Sequence, residues 1–296
     1  MTELMNKQTT DYICPSCRPK REAEQIDTDT KVTQAVKLIK SATSMHNYTI
    51  AFSGGKDSMI TRFLTIEAGQ HLPLVYNSTT IDPPGTIPFC EHQGAQVNRP
   101  KKTFLQLVEQ KGMPNQFRRF CCAILKEQYI SDYLMIGVRS DESVKRKIRY
   151  KEPEMCFIYS KRKHIETYRL FPLLNFNNDD IDYLVQKHSI EMHPKYYDES
   201  GKFIVTRRLG CIGCPLKADR GRSDFLQYPK LLRQIIKRLV SFHTRLGRTP
   251  TDAYLNAVYT IFYSNHKYDK FMQTYHGLFS NDPKAFLEQY FKIQLP

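Results

Sequence analysis

No apolar run in this chain approaches the ~18 residues of a membrane span. The stretch Met1 to Tyr12 is polar and lacks the apolar centre of a secretory leader. The expectation is a cytoplasmic protein with no membrane partner. There is no zinc-finger repeat, RNA-recognition signature or basic zipper, no internal repeat and no low-complexity linker. Acidic residues are the scarcer charge: 30 Asp and Glu against 44 Lys and Arg leave a net charge of +14. No cysteine follows Cys214, although the chain holds eight. In a chain of cytoplasmic character those eight are not a disulfide framework by default, so their spacing points to metal or redox chemistry.

What is present is ordinary in bulk. The 296 residues, 41% hydrophobic and 25% charged, suit a globular protein of one large domain or a domain with appendages. The positive charge is clustered, at Lys145 to Lys151, at Lys161 to His164, and at Arg207, Arg208, Lys217, Arg220 and Arg222. Such clusters suit a polyanion, either a nucleic acid or a nucleotide with several phosphates, or else make a generally basic solvated surface.

The β-prone run Tyr48-Thr49-Ile50-Ala51-Phe52 leads into Ser53-Gly54-Gly55-Lys56-Asp57-Ser58, and Met59, Ile60, Phe63, Leu64 and Ile66 follow at helical spacing. Strand, glycine-rich turn and helix start together build an anion site. The glycines let the backbone approach a phosphate, and the helix N-terminus offers N–H groups and its dipole. Ser53 and Ser58 add hydroxyls and Lys56 a mobile positive charge. Asp57 repels a bare phosphate, so it faces a metal ion or caps the helix. The spacing is not that of a Walker A loop, which needs G-x-x-x-x-G-K-[ST]. It resembles the S-G-G-x-D-S pyrophosphate loop of the adenine nucleotide α-hydrolase (PP-loop) superfamily, whose members bind ATP or an adenylyl sulfate.

Residues 1–30 form a polar segment carrying Cys14-Pro15-Ser16-Cys17. Residues 31–222 alternate helical and strand patterns. Val32 to Ile39 and Phe104 to Val108 read as helices, the latter stopping near Gly112, and another is expected from about Cys121 to Tyr129. Leu72 to Tyr76, Tyr133 to Val138 and Ile165 to Leu170 read as strands, and Asp179 to His188 as a helix. This order predicts an α/β fold with an open, mostly parallel sheet covered on both faces. The turn-rich Asn77 to Gly85 then lies at a strand's C-terminal end, where such sheets bind ligands. Residues 223–296 show helical spacing throughout, as at Leu226, Leu231, Leu232, Ile235, Ile236, Leu239 and Val240, and predict a helical C-terminal extension rich in Phe and Tyr.

Cys121 and Cys122 are adjacent, and Cys211-Ile212-Gly213-Cys214-Pro215 is a C-x-x-C. Four thiolates suit an iron–sulfur cluster or a structural zinc. With the loop, they resemble the iron–sulfur members of the phosphoadenosine phosphosulfate (PAPS) reductase family, in which a Cys-Cys pair and a later C-x-x-C hold one [4Fe-4S] cluster. Gly137-Val138-Arg139-Ser140-Asp141-Glu142-Ser143 with Arg146 resembles that family's G-[IV]-R-x-x-E-S-x-x-R motif. Phe171-Pro172-Leu173-Leu174 and Arg208-Leu209-Gly210-Cys211-Ile212-Gly213-Cys214-Pro215 are similar to two more of its segments. The resemblance covers about residues 45–222.

The resemblance implies an adenine nucleotide, ATP or (phospho)adenylyl sulfate, on Ser53, Gly54, Gly55, Lys56, Asp57 and Ser58, with Arg139, Ser143 and Arg146 completing the phosphate site and Mg2+ accompanying it. It implies Asp57, Arg139 and Glu142 as catalytic residues, Glu142 orienting an arginine or binding the metal, and Cys121, Cys122, Cys211 and Cys214 as cluster ligands. Reductases of this family use a nucleophilic cysteine in a C-terminal E-C-G-[IL]-H segment, which this sequence does not show. The resemblance therefore extends to DNA phosphorothioation and tRNA thiolation enzymes, which use ATP to activate an acceptor and then deliver sulfur. On that reading the partners are DNA or tRNA and a sulfur donor. The alternatives are a sulfonucleotide reductase served by a thioredoxin-like reductant, with Cys14 or Cys17 as nucleophile, and a nucleic-acid-binding regulator without turnover. Cys14 and Cys17 are equally open to half of a zinc site, while Cys90 and Cys156 read as ordinary, partly buried thiols.

Overall fold

The computed structural model describes residues 20–127, 131–158, 166–262 and 282–296, with side chains described outside 20–26, 155–158 and Glu166. Cys14, Cys17, the 161–164 basic cluster and the Cys156 side chain lie outside what is described.

Ile50 and Met135, both fully buried, mark two neighbouring central strands. β1 (Thr49–Ala51) pairs in parallel with β2 (Leu74–Asn77) on one side and β4 (Tyr133–Met135) on the other, Ile50 standing against Leu74 and against Met135. β3 (Gln96–Asn98) extends the sheet beyond β2, and β6 (Glu166–Leu170) extends it beyond β4. β5 (Glu154–Ile158) closes the far edge antiparallel to β6. The order is β3-β2-β1-β4-β6-β5, so the expected open, mostly parallel sheet is present. From β1 the chain builds outward to β2 and β3, then crosses back to β4 on the other side. The C-terminal ends of β1 and β4 therefore flank the topological switch point, the crevice where open α/β sheets hold ligands.

Apolar faces of α1 (Lys20–Met45), α2 (Lys56–Glu67) and α6 (Asn178–Lys187) cover the sheet through Ala35, Ile39, Ile60, Leu64, Ile181 and Leu184. Asn177 caps α6 in a reciprocal box with Asp180. The same buried Asp180 carboxylate accepts from Thr28 at 2.5 Å and from Lys31 at 3.0 Å, tying α1 to α6.

Among the described C-terminal residues are four helices: α7 (Arg222–Gln227), α8 (Pro229–Arg245), α9 (Pro250–Phe262) and α10 (Pro283–Phe291). Leu232, Ile235, Ile236 and Leu239 of α8 are buried at helical spacing, whereas Leu226, expected on the same face, is 48% exposed at the end of the short α7. These helices share one core with α4 (Phe104–Lys111) and Leu125. Their aromatics Phe225, Tyr254 and Phe291 are core residues.

Three differences from the sequence expectations concern short elements. α3 (Thr86–His92) and β3 were not anticipated, because two helical turns and a three-residue polar edge strand carry too little periodicity. The helix expected from Cys121 is a π-helical turn, Cys122–Lys126. The strand expected to reach Val138 ends regular pairing at Met135, although Ile136 N–H still bonds Leu170 O at 2.9 Å.

Candidate nucleotide cleft and cysteine site

The loop Ser53–Ser58 turns from β1 into α2 at the switch point. Gly54 has φ +67°, where an L side chain is strained, and a Cβ there would stand 3.1 Å from Cys90 Sγ and 3.2 Å from the Phe89 ring. Cys90 is fully buried beneath the loop, more so than its sequence context suggests. Burial pushes its thiol up to about 12, with Asp82 and Glu91 adding to the shift, so it packs as an inert apolar group. Ser58 Oγ donates to Gly55 O at 2.8 Å and accepts from Ser53 N–H at 3.2 Å, which closes the turn.

A cleft of about 240 Å³ opens above this loop. Ser53, Gly55, Lys56, Asp57 and Ser58 form one wall; Ile136, Gly137, Glu142 and Arg146 form the second; Tyr196, Arg208 and Leu209 form the third. Gly137 is required by the close approach of the two βα turns. A Cβ there would sit 2.7 Å from Asp57 O and 3.0 Å from Thr61 Oγ1.

The arginines divide into two kinds. Arg139 is buried and does not line the cleft; its Nε donates to Asp57 Oδ1 at 2.7 Å and its Nη2 to Asn178 Oδ1 at 3.0 Å. It supports the loop from behind instead of presenting its fork to the cleft. Arg146 and Arg208 do line the cleft, and both pair with the Glu142 carboxylate, on a side chain 9% exposed. Burial pushes the Arg146 guanidinium down from its ordinary value, against Tyr150 and with the repulsion of Arg208. Ser143 is the N-cap of α5 (Val144–Arg149), its hydroxyl accepting from Arg146 N–H at 3.2 Å, so it positions Arg146.

Lys56 is not the mobile charge expected of it. It is 4% exposed, its Nζ donating to Arg207 O at 3.3 Å and lying 5.8 Å from the centre of the Tyr196 ring. Burial lowers its pKa, an effect that Asp57 opposes and Arg139 and Arg208 reinforce. Tyr196, which sequence reasoning did not single out, organises this wall. Its hydroxyl accepts from Lys56 N–H at 3.0 Å and from Leu209 N–H at 3.2 Å. With both acceptor positions used, its own proton remains to be donated.

The segment 207–214 runs from this cleft to the cysteines. Arg208 and Leu209 line the cleft, Ile212 N–H bonds Ile81 O at 2.8 Å, and Cys211 Sγ lies 3.4 Å from Thr79 Oγ1. Asn77 at the end of β2 donates to Lys126 O at 2.7 Å, which docks the π-helical turn of Cys122 beside it. The four thiols feel one another. Cys121 is pushed up by the hydrogen bond it gives Cys122, by burial, and by the charges of Cys122, Cys211 and Cys214. Cys122 is pulled down to about 6 by that hydrogen bond, against burial, and by Lys126 and Arg119. Crowding lowers the Lys126 pKa, but the charges of Cys211, Cys122, Asp82 and Cys214 outweigh this and raise it. Among the described residues, no group of three or more His, Cys, Asp and Glu side chains is disposed to hold a single metal ion.

Residues 47–217 match the family model described as the phosphoadenosine phosphosulfate reductase domain. The chain belongs to that family. The match contains the loop, the Arg139–Arg146 segment and all four cysteines of the two pairs. Among curated relatives, the uncharacterised protein MJ0973 of Methanocaldococcus jannaschii is 24% identical over 216 residues, covering 68% of this chain and 49% of the relative. A second protein of that organism, MJ0066, is 28% identical over 206 residues, covering 62% and 39%. The chain thus spans half or less of the length of these relatives. Among solved structures, it is similar to the phosphoadenylyl-sulfate reductase of Candida auris in a phosphate complex (9% identity, 53% of this chain and 81% of that one, TM-score 0.38). It is also similar to the U34-tRNA thiolase NcsA of Methanococcus maripaludis with its [4Fe-4S] cluster (18% identity, 76% and 80%, TM-score 0.39).

In this member of the family the C-x-x-C turn is braced from outside the matched segment. Gly213 has φ +69°, and a Cβ there would collide with the Phe225 ring at 2.3 Å. Its N–H donates at 2.8 Å to the buried Asp224 carboxylate of α7, which also pairs with Lys217. The sequence shows only an Asp ten positions after Cys214, and its burial, which makes it a brace, emerges from the fold. Tyr196 and Asn178 had no sequence signal.

Proposed function

We propose that this PAPS reductase family member binds an adenine nucleotide with its phosphates on the Ser53–Ser58 loop and uses it in sulfur transfer to a nucleic acid. The observation that carries this reading is the short segment 208–214, which lines the nucleotide cleft at one end and supplies Cys211 and Cys214 at the other. Nucleotide activation and sulfur chemistry are therefore adjacent along one loop.

Arg146 and Arg208, held by Glu142, would bind phosphate oxygens by exchanging a carboxylate partner for a phosphate one. Tyr196 would donate its remaining proton, and Lys56 would hold charge close to the loop from a buried position. Asp57 and Glu142 are the carboxylates of the cleft wall, and either would take Mg2+ only by loosening its arginine. The acceptor oxygen would attack the α-phosphorus of ATP, forming a new P–O bond as the bond to pyrophosphate breaks. A sulfide-level donor would then displace AMP, which leaves with the acceptor's oxygen, so that no net oxidation is required.

The four thiols fit an iron–sulfur group in their donor chemistry, with Cys122 already drawn toward thiolate. A [4Fe-4S] cluster held by Cys121, Cys122, Cys211 and Cys214 would supply the sulfur-handling chemistry beside the cleft. The clustered positive charge of the chain suits a polyanionic acceptor.

Anaerobically reconstituted protein given ATP and candidate DNA or tRNA should release pyrophosphate only when the acceptor is present. Acceptor-independent turnover, or ATP binding that survives substitution of Gly54, Gly55 and Asp57, would count against the reading. The family's own description favours a second reading, sulfonucleotide reduction with Cys14 or Cys17 as nucleophile. Thioredoxin-dependent sulfite release that Cys14→Ser or Cys17→Ser abolishes would establish it.

A further inference from the structure

A second cavity, of about 260 Å³, lies away from the loop, between the C-terminal end of α4 and the turn from α8 to α9. At its wall stands His243, 3% exposed, with no hydrogen-bond partner on either ring nitrogen among the described residues. A buried imidazole normally satisfies one donor and one acceptor, and one that satisfies neither calls for an explanation. Its nearest ring neighbour, Phe242, meets it edge-on at 5.3 Å and offers no polar atom. Burial and Arg248 hold the His243 pKa below its ordinary value, against the pull of Asp252, so the ring is neutral at pH 7. One nitrogen is then a donor and the other an acceptor.

Lys111, Arg118 and Arg248 also line this cavity, together with the amide side chain of Asn256, and among the described residues no Asp or Glu does. Beside Arg118 in the chain is Phe117, a residue 77% exposed. The turn presenting both is fixed, since Asn115 Oδ1 accepts from Phe117 N–H at 2.9 Å and from Arg118 N–H at 2.8 Å. An exposed aromatic flanked by cations is the composition of a single-strand binding surface, where bases stack and phosphates are neutralised.

We infer that this cavity receives one nucleotide of a single-stranded nucleic acid, its base edge on His243 and Asn256, its phosphates on Lys111, Arg118 and Arg248, with a neighbouring base stacked on Phe117. The mixed donor and acceptor character of the imidazole matches a base edge, which offers both. A free mononucleotide shares the base and phosphate chemistry but has no second base for Phe117. The inference deepens the function proposed above by giving the polymer a docking place, and rests on it only for the polymer's role as acceptor.

The test is fluorescence anisotropy of short labelled single strands, DNA and RNA in parallel, on the full chain. Phe117→Ala should weaken binding about thirtyfold, the middle of the range for one lost base stack. Arg248→Glu should weaken it and flatten its salt dependence. His243→Phe should weaken it by filling the cavity, but that variant risks misfolding, so the two exposed positions decide. Binding of a fluorescent ATP analogue to the loop should be unchanged in Phe117→Ala and Arg248→Glu. Wild-type strand affinity in both surface variants overturns the inference, as does full competition by AMP at the strand's own dissociation constant. Loss of strand binding in a Gly54 or Asp57 variant, with none in the surface variants, also overturns it. Retained, variant-sensitive strand binding without pyrophosphate release would sink the sulfur-transfer reading and leave this site standing.

Discussion

Arg139 Nε donates to Asp57 Oδ1 at 2.7 Å from a side chain that is only 3% exposed. The pair spans the switch point, joining the segment after β4 to the loop after β1. Asn178 at the start of α6 takes a second donor of the same guanidinium at 3.0 Å. Arg139 thus sets the position of the loop while lying outside the cleft. The Asp57 carboxylate left behind is 21% exposed at the cleft, so the loss is about 1.5–3 kcal/mol, that of a charged hydrogen bond, and not the larger cost of a fully buried pair. Arg139→Ala should lower the unfolding free energy by that amount in urea titration and weaken ATP binding as the loop loosens. Arg139→Lys should restore little, since an ammonium lacks the fork that reaches both partners. ATP binding lost with unchanged stability would instead mean that Arg139 contacts the nucleotide directly.

Gly137→Ala tests the close approach of the two turns. The added methyl would stand 2.7 Å from the Asp57 carbonyl oxygen and 2.8 Å from its carbon, both backbone atoms at the first turn of α2. Overpacking of this kind costs about 1–3 kcal/mol. The strain falls on the loop itself, so nucleotide affinity should drop more steeply than stability. Calorimetric ATP titration alongside urea unfolding separates the two, and equal losses would contradict this placement of the strain.

Tyr196→Phe removes one oxygen and orphans two donors, the buried Lys56 N–H and the half-buried Leu209 N–H. Leaving a buried donor unpaired costs about 1–3 kcal/mol. If the hydroxyl also donates its proton to a phosphate, the variant loses affinity for ATP beyond what its stability loss explains. An adenosine control, which lacks phosphates, should then bind the variant and the wild type alike. A matching loss for adenosine would show that Tyr196 acts only on the shape of the loop.

Acid should destabilise the protein through its buried histidines. Burial lowers the pKa of His243 and of His193 below 6.5, with Arg248 and Lys195 respectively adding to the effect and Asp252 opposing it at His243. Lys111 and Arg118, which line the same cavity as His243, are cations and favour the neutral ring as well. Between the folded and unfolded pKa values the unfolded chain binds more protons. The stabilising contribution is therefore complete above pH 6.5 and is lost as pH falls through the folded values. The urea midpoint should be level above that pH and decline below it, and His243→Phe should make the decline shallower. A slope unchanged in that variant would remove His243 from the explanation.

The strand–loop–helix order around Ser53–Ser58 was legible because each part leaves a local mark: a β-prone run, paired glycines, then helical spacing. The parallel sheet followed from the alternation of such segments, and the helical C-terminal region from the repeat through Leu232, Ile235, Ile236 and Leu239. What could not be read locally was what closes over the loop. Tyr196 bonds Lys56 N–H from 140 positions away, and it arrives with Arg207 to bury a lysine that its polar context marked as mobile. Arg139 belonged to a recognisable motif, yet only the packing of α2 against the β4 turn decided that it supports Asp57 from behind. The π-helical turn at Cys122 had no signature distinct from that of an α-helix of the same composition.

The cysteine turn depends on a carboxylate that is not itself one of the expected ligands. Asp224 is 5% exposed, accepts from Gly213 N–H at 2.8 Å and pairs with Lys217. It fixes the Ile212–Gly213 peptide, between Cys211 and Cys214, against α7. Asp224→Ala leaves Gly213 N–H and Lys217 without this partner and lets the turn move, whereas Asp224→Asn keeps an acceptor of nearly the same shape. If the four thiols hold an iron–sulfur group, iron and acid-labile sulfide after anaerobic reconstitution should fall in Asp224→Ala and be largely kept in Asp224→Asn. Gly213→Ala should resemble Asp224→Ala, since its methyl would press into the Phe225 ring at 2.3 Å. Cys211→Ser sets the scale for loss of a ligand. Binding of a fluorescent ATP analogue should persist in Asp224→Ala, because Asp224 does not line the cleft. Iron incorporation equal to wild type in both Asp224→Ala and Gly213→Ala would show that the turn needs no brace from the C-terminal helices.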